Sequence, residues 1–157
     1  FTIVAILILD KVGRRPLLIV GTIGCVVALT ALGIFFASST LKHDAPGVAL
    51  VCLIVYIASF AVGLGPVFWL MISEIFPLKV RSAAMSVSTV ANWASNFLVS
   101  TFFLTLTGAI SVEGTFWLYA GFGVAAIVFF VFRLPETKNR SLEEISDEVT
   151  EETVEAT

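Results

Sequence analysis

Four long apolar stretches divide this chain. Leu17–Ser38, Ala45–Ser73, Ser82–Val112 and Gly114–Phe132 contain no Asp, Glu, Lys or Arg. A helix needs about 20 mostly apolar residues to cross the hydrocarbon core of a bilayer, and each stretch meets or nearly meets that length. Phe1–Leu9 is equally apolar but too short to cross, and reads as the end of a fifth helix. The pattern predicts an all-α fold. It is an integral membrane helical bundle of four full transmembrane helices plus the end of a fifth. The polar segments between the stretches are short, so consecutive helices are antiparallel neighbours.

The charges sit where such a bundle needs them. Lys11, Arg14 and Arg15 lie before the first full span, Lys79 and Arg81 before the third, and Arg133, Lys138 and Arg140 after the fourth. Only Lys42 lies on the opposite side. Basic loops stay in the cytoplasm. The expectation is therefore a multi-pass protein of the cell membrane whose first and third loops and C-terminal tail are cytoplasmic. Residues 1–135 form the membrane part, and 136–157 form an acidic cytoplasmic tail. Ser141-Leu142-Glu143-Glu144 in that tail reads as a helix start with a capping box.

Composition sharpens this. The chain is 58% hydrophobic and 13% charged, with mean hydropathy +1.01, against about 45–50% and 25% in soluble domains. The net charge of −3 reflects the tail. No basic patch with interleaved aromatics exists, so no nucleic-acid partner is expected. Cys25 and Cys52 fall inside apolar stretches and read as small hydrophobes, not as a disulfide or metal site. His43 stands alone in a polar loop. No metal, cofactor or catalytic residue is expected, because no acid, His or Ser/Lys arrangement lies at membrane depth. The chain does not read as an enzyme.

Two places carry chemistry beyond a bundle. Gly65 and Pro66 interrupt the second full span, because proline removes a backbone hydrogen bond and bends the axis. Broken helices either simply kink or build mid-membrane binding sites. Trp69, one turn on, is either an interface anchor or a ring aimed at a cavity. Asn92 and Asn96 share one face of the third full span. They either hold helices together or present amides, which both donate and accept, to a hydroxylated ligand. Glu74 and Arg81 end the flanking spans and can pair with each other or with Arg14, Arg15 and Glu136.

The motifs together resemble the sugar porter family of the major facilitator superfamily. The resemblance rests on Asp10-Lys11-Val12-Gly13-Arg14-Arg15-Pro16 and on Gly65-Pro66-Val67-Phe68-Trp69. It rests also on Ser73-Glu74-Ile75-Phe76-Pro77 followed by Arg81, on Asn92-Trp93 with Asn96, and on Pro135-Glu136-Thr137-Lys138. It implies that the chain is a C-terminal fragment, running from the end of helix eight through helices nine to twelve into the tail. By the same resemblance Trp69, Asn92, Trp93 and Asn96 line the sugar site, which replaces the anchor reading of Trp69. Arg14, Arg15, Glu74, Arg81 and Glu136 form a cytoplasmic charge network that gates it.

Ala61 stands where facilitative animal carriers tend to have glutamate, as in many proton-coupled members. Ser82 and Asn139 replace usual glycines of the loops. The implied function is transport of a monosaccharide (hexose, pentose or polyol) by alternating access, as a proton symporter. A truncated, non-transporting membrane protein or sugar sensor is the alternative. The implied partners are a small-molecule sugar, the lipid bilayer and the N-terminal helices of the same transporter.

Overall fold

The computed structural model describes residues 12–45 and 47–134. Phe1–Leu9, Glu136 and the tail motif at Ser141 lie outside the described residues. Within them the chain forms α1 (Arg14–Ala37), α2 (Ser39–Asp44) and α3 (Gly47–Ser59), then a π-helical segment (Phe60–Leu64). It continues as α4 (Gly65–Ile75), α5 (Leu78–Ile110) and α6 (Val112–Arg133). Among the described residues, four helical stretches are long and apolar enough to cross a membrane: α1, the composite Gly47–Ile75, α5 and α6.

The helices extend past the apolar runs that predict them. α5 starts at Leu78, four residues before Ser82, because Pro77 caps it: the Pro77 carbonyl accepts from the N–H groups of Val80 and Arg81 at 3.1 and 2.9 Å. At 33 residues it runs about 50 Å, longer than the hydrocarbon core. The loop expected near Glu113 shrinks to Ser111, which turns the chain with φ 71° and caps α6 by accepting from Gly114 N–H. Glu113 sits in the first turn of α6, where a carboxylate meets the positive end of the helix dipole. The polar segment after α1, expected as a loop, is itself a short helix. Its Ser38 side chain accepts from Leu41 N–H at 3.4 Å.

α1 is the centre of the packing. It lies against α6 on one side and against α3, the π segment and α4 on the other. Its Leu17 and Leu18 join Val67 and Met71 of α4 in the core cluster. In lipid this association rests on close packing, since tails are as apolar as leucine. α5 stands apart. It touches α4 and α6 and has no fully buried residue. Several Ser and Thr hydroxyls along the spans turn back onto their own helices, as Thr22 does to Leu18 O at 2.7 Å and Thr89 to Met85 O at 2.7 Å. That satisfies them where no water is available.

Candidate functional site

The helix break has a defined cause. Pro66 has no N–H, so the hydrogen-bond ladder of the second span cannot run through it. The chain adjusts ahead of the proline by taking one extra residue per turn over Phe60–Leu64, and Gly65 N–H reaches Phe60 O, five residues back. Such π turns concentrate at functional positions in helices. Gly65 and Pro66 then open α4 as its first turn. Pro66 fits there because first-turn N–H groups lack helical partners anyway.

α4 carries Phe68 and Trp69, whose rings meet edge to face at 5.3 Å. Phe68 faces a cleft of about 450 Å³ between α1, α4, α5 and α6. Across the cleft α5 presents Ser88, Asn92 and Ser95, and α6 presents Phe129 and Phe130. The cleft wall is thus aromatic and aliphatic on three helices and polar on one.

The sequence-predicted site residues divide between two faces. Asn92 is half-buried and lines the cleft. Trp69 is half-buried, touches the Phe68 ring, and is not one of the lining residues. Trp93 is 68% exposed on the open face of α5, since neighbouring helical residues point about 100° apart. Asn96 is exposed, and its Nδ2 donates to Asn92 O at 2.9 Å. Sequence reasoning missed Phe68, Ser88 and Phe130. Ser88 was within reach, because it precedes Asn92 by one helical turn.

The charged residues converge at one end. Arg14 Nη2 donates to Glu74 Oε1 at 3.1 Å, joining the start of α1 to the end of α4. Both side chains are about four-fifths buried. Arg15 reaches across and donates to the Val131 carbonyl near the end of α6, where exposed carbonyls carry the negative end of the dipole. Arg81 Nε donates to Phe76 O at 3.2 Å, bracing the turn between α4 and α5. The opposite end is aromatic: Phe36 stacks on Phe116 at 5.5 Å, and Lys42 Nζ lies 5.9 Å from the Phe36 ring centroid.

Residues 1–149 match the family described as "Sugar (and other) transporter". The chain belongs to the sugar transporter family. Among its curated relatives, a probable polyol transporter of Arabidopsis thaliana is 46% identical over 152 residues, covering 92% of this chain and 30% of the relative. A facilitated trehalose transporter of Bombyx mori is 37% identical over 152 residues, covering 95% of this chain and 30% of the relative. This sugar-transporter chain thus spans 30% of the length of each of these two relatives. Its structure superposes on the inward-open xylose transporter XylE of E. coli with a TM-score of 0.84 and 36% identity, over 93% of this chain and 32% of that one. XylE, described as a proton:xylose symporter, has also been solved with 6-bromo-6-deoxy-D-glucose bound (TM-score 0.81). The family and the helical membrane architecture expected from the motifs are thereby established.

Proposed function

We propose that the chain forms the C-terminal part of a transporter that carries a monosaccharide or polyol by alternating access. Residues 1–135 supply one wall of the sugar path, and 136–157 a cytoplasmic tail. The carrying observation is the meeting of the broken helix with the polar face of α5 at one cleft, Phe68 on one side and Asn92 on the other. An amide that donates and accepts suits a sugar hydroxyl, and the ring of Trp69 suits the apolar face of a sugar. Trp93 and Asn96, on the open side of α5, face the N-terminal helices of the complete transporter and contact sugar from there.

The charge network of Arg14, Arg15, Glu74 and Arg81, joined by Glu136, holds the cytoplasmic ends of the helices together in one state and parts in the other. The end that gathers these basic residues is the cytoplasmic one, as the bias of Lys and Arg toward that side argues. Proton coupling is supported by the likeness to a proton:xylose symporter and by Ala61 at the position where facilitative carriers tend to have glutamate.

The test is uptake of labelled D-xylose, D-glucose, a polyol and trehalose by cells producing the full-length transporter, with and without an uncoupler. Saturable uptake of a monosaccharide or polyol that collapses with the uncoupler is the expected result. Uptake of trehalose alone, or none at all, sinks the reading.

A further inference from the structure

At its π segment the broken helix comes within backbone contact of α1. An ideal Cβ added to Gly63, within the π segment, would lie 2.5 Å from Gly21 Cα and 2.8 Å from Leu17 O. One added to Gly21 would meet Gly63 Cα and lie 2.9 Å from Ser59 O. Real Cβ atoms do not approach backbone that closely, so neither glycine accepts a methyl without the helices separating. One turn further along, Gly24 of α1 faces Ser59, the residue before the π segment, whose Cβ would be 2.8 Å from the added atom. Small residues allow this kind of approach between membrane helices.

The two arms of the break are held differently. The arm ahead of Pro66 approaches α1 backbone to backbone at Gly63 and Gly21 and through Ser59 at Gly24, with Val62 and Leu64 packed beside the Leu17–Leu18 cluster. The arm after it, α4, is held by side chains that can slide or part: Val67 and Met71 packed on Leu17 and Leu18, and the Arg14–Glu74 ion pair at its end. A close backbone contact beside a π turn and a proline has the properties of a hinge point, while the flexible contacts beyond it have those of a moving arm.

We propose that the Gly21–Gly63 contact, continued by Gly24–Ser59, is the pivot on which α4 swings, and that the spacing at this seam sets the balance between outward-facing and inward-facing states. Gly21, Gly24, Ser59 and Gly63 are positioning residues. They act on the sugar site through the tilt of the arm that bears Phe68 and Trp69. The inference rests on the transport reading above.

The experiment compares apparent affinity for labelled D-xylose and D-glucose from each side of the membrane, in intact cells and in inverted vesicles. It uses the full-length transporter and the variants Gly21→Ala, Gly63→Ala, Gly24→Ala and Gly24→Ala/Ser59→Gly. A shifted equilibrium weakens binding from one side relative to the other. The ratio of the two affinities should change by about tenfold in Gly21→Ala and Gly63→Ala, and by about threefold in Gly24→Ala. The added Ser59→Gly change removes both atoms that crowd the new methyl, leaving Ser59 Cα at 4.0 Å, and should return the ratio to its original value.

If the first two variants fail to reach the membrane, the Gly24 pair decides alone. Reduced abundance with an unchanged ratio, or a Gly24→Ala shift that Ser59→Gly does not reverse, overturns the pivot and leaves the transport reading standing. An unsubstituted protein that moves no monosaccharide and no polyol overturns both.

Discussion

Arg14 and Glu74 meet at 3.1 Å across the gap between α1 and α4, although 60 residues separate them in the chain. The pair ties the fixed central helix to the end of the arm that begins at the helix break. Both side chains are about four-fifths buried, so removing one partner takes away a charge-assisted bond in a poorly solvated place. Arg14→Ala and Glu74→Gln are each expected to lower the maximal uptake rate of the full-length transporter several-fold, with a smaller effect on KM. The exchange Arg14→Glu/Glu74→Arg is expected to recover part of the rate, and the coupling is read from the double-mutant cycle. Equal losses in the single and exchanged variants would show that the pair does not contribute through its mutual contact.

Asn92 and Trp93 are adjacent in sequence but face different surroundings. Asn92→Ala removes an amide from the cleft, and loss of one hydrogen bond to a neutral ligand costs about 0.5–1.5 kcal/mol. The apparent affinity for sugar should therefore weaken by about 2- to 13-fold, with membrane insertion unchanged. Trp69→Ala should likewise weaken uptake by removing a stacking surface beside Phe68. Concentration-dependent uptake, normalised to surface abundance, checks both. Unchanged kinetics in the two variants would remove Asn92 and Trp69 from the sugar site.

Pro66 causes the π turn, so its replacement has a defined consequence. Pro66→Ala restores an N–H that can donate within the helix, which favours a continuous α-helical ladder through the break. Interior prolines disfavour a helix by about 3 kcal/mol relative to alanine; at the first turn of α4 the effect is smaller. The variant should be no less stable to heat than the parent and slower in net uptake, because the arm loses its bend. Thermal unfolding in detergent and initial uptake rates check the two halves separately. Full transport speed in this variant would mean that the bend is not needed.

Much of this architecture is legible in the sequence, for a physical reason. Lipid tolerates only helices and closed barrels, whose backbones are internally satisfied, and an unbroken charge-free run as long as Leu17–Ser38 fits the helix, which α1 fills. Helix ends are less legible, because polar residues continue a helix beyond the bilayer: Leu78–Arg81 belong to α5 through the cap at Pro77. Gly65-Pro66 announces a break, but not that the five residues before it wind as a π turn. At the site, the phase of Asn92 could be read, whereas the turn of Asn96 onto its own helix could not. Arg15 donates to a backbone carbonyl 116 residues away, and side-chain chemistry gives no sign of that contact. Gly21 and Gly63 carry no chemistry at all, and only their approach in space reveals them.

Leu18 offers a test of the packing itself. It is 1% exposed in the core between α1 and α4, whereas Val20, two residues on, is 64% exposed toward the outside of the helix. In water both would favour burial, but in a bilayer Val20 rests against lipid at no cost, so hydrophobicity alone does not separate them. Packing does. Leu18→Ala leaves a cavity lined by Val67, Met71 and their neighbours, and such cavities cost about 2–5 kcal/mol in soluble cores. The value in lipid should fall at the lower end, because no water is excluded. Val20→Ala should change stability by less than about 0.5 kcal/mol. Thermal or denaturant unfolding of the full-length transporter in mixed micelles measures both. A Val20 effect as large as that of Leu18 would mean that α1 is not the packed centre of this bundle.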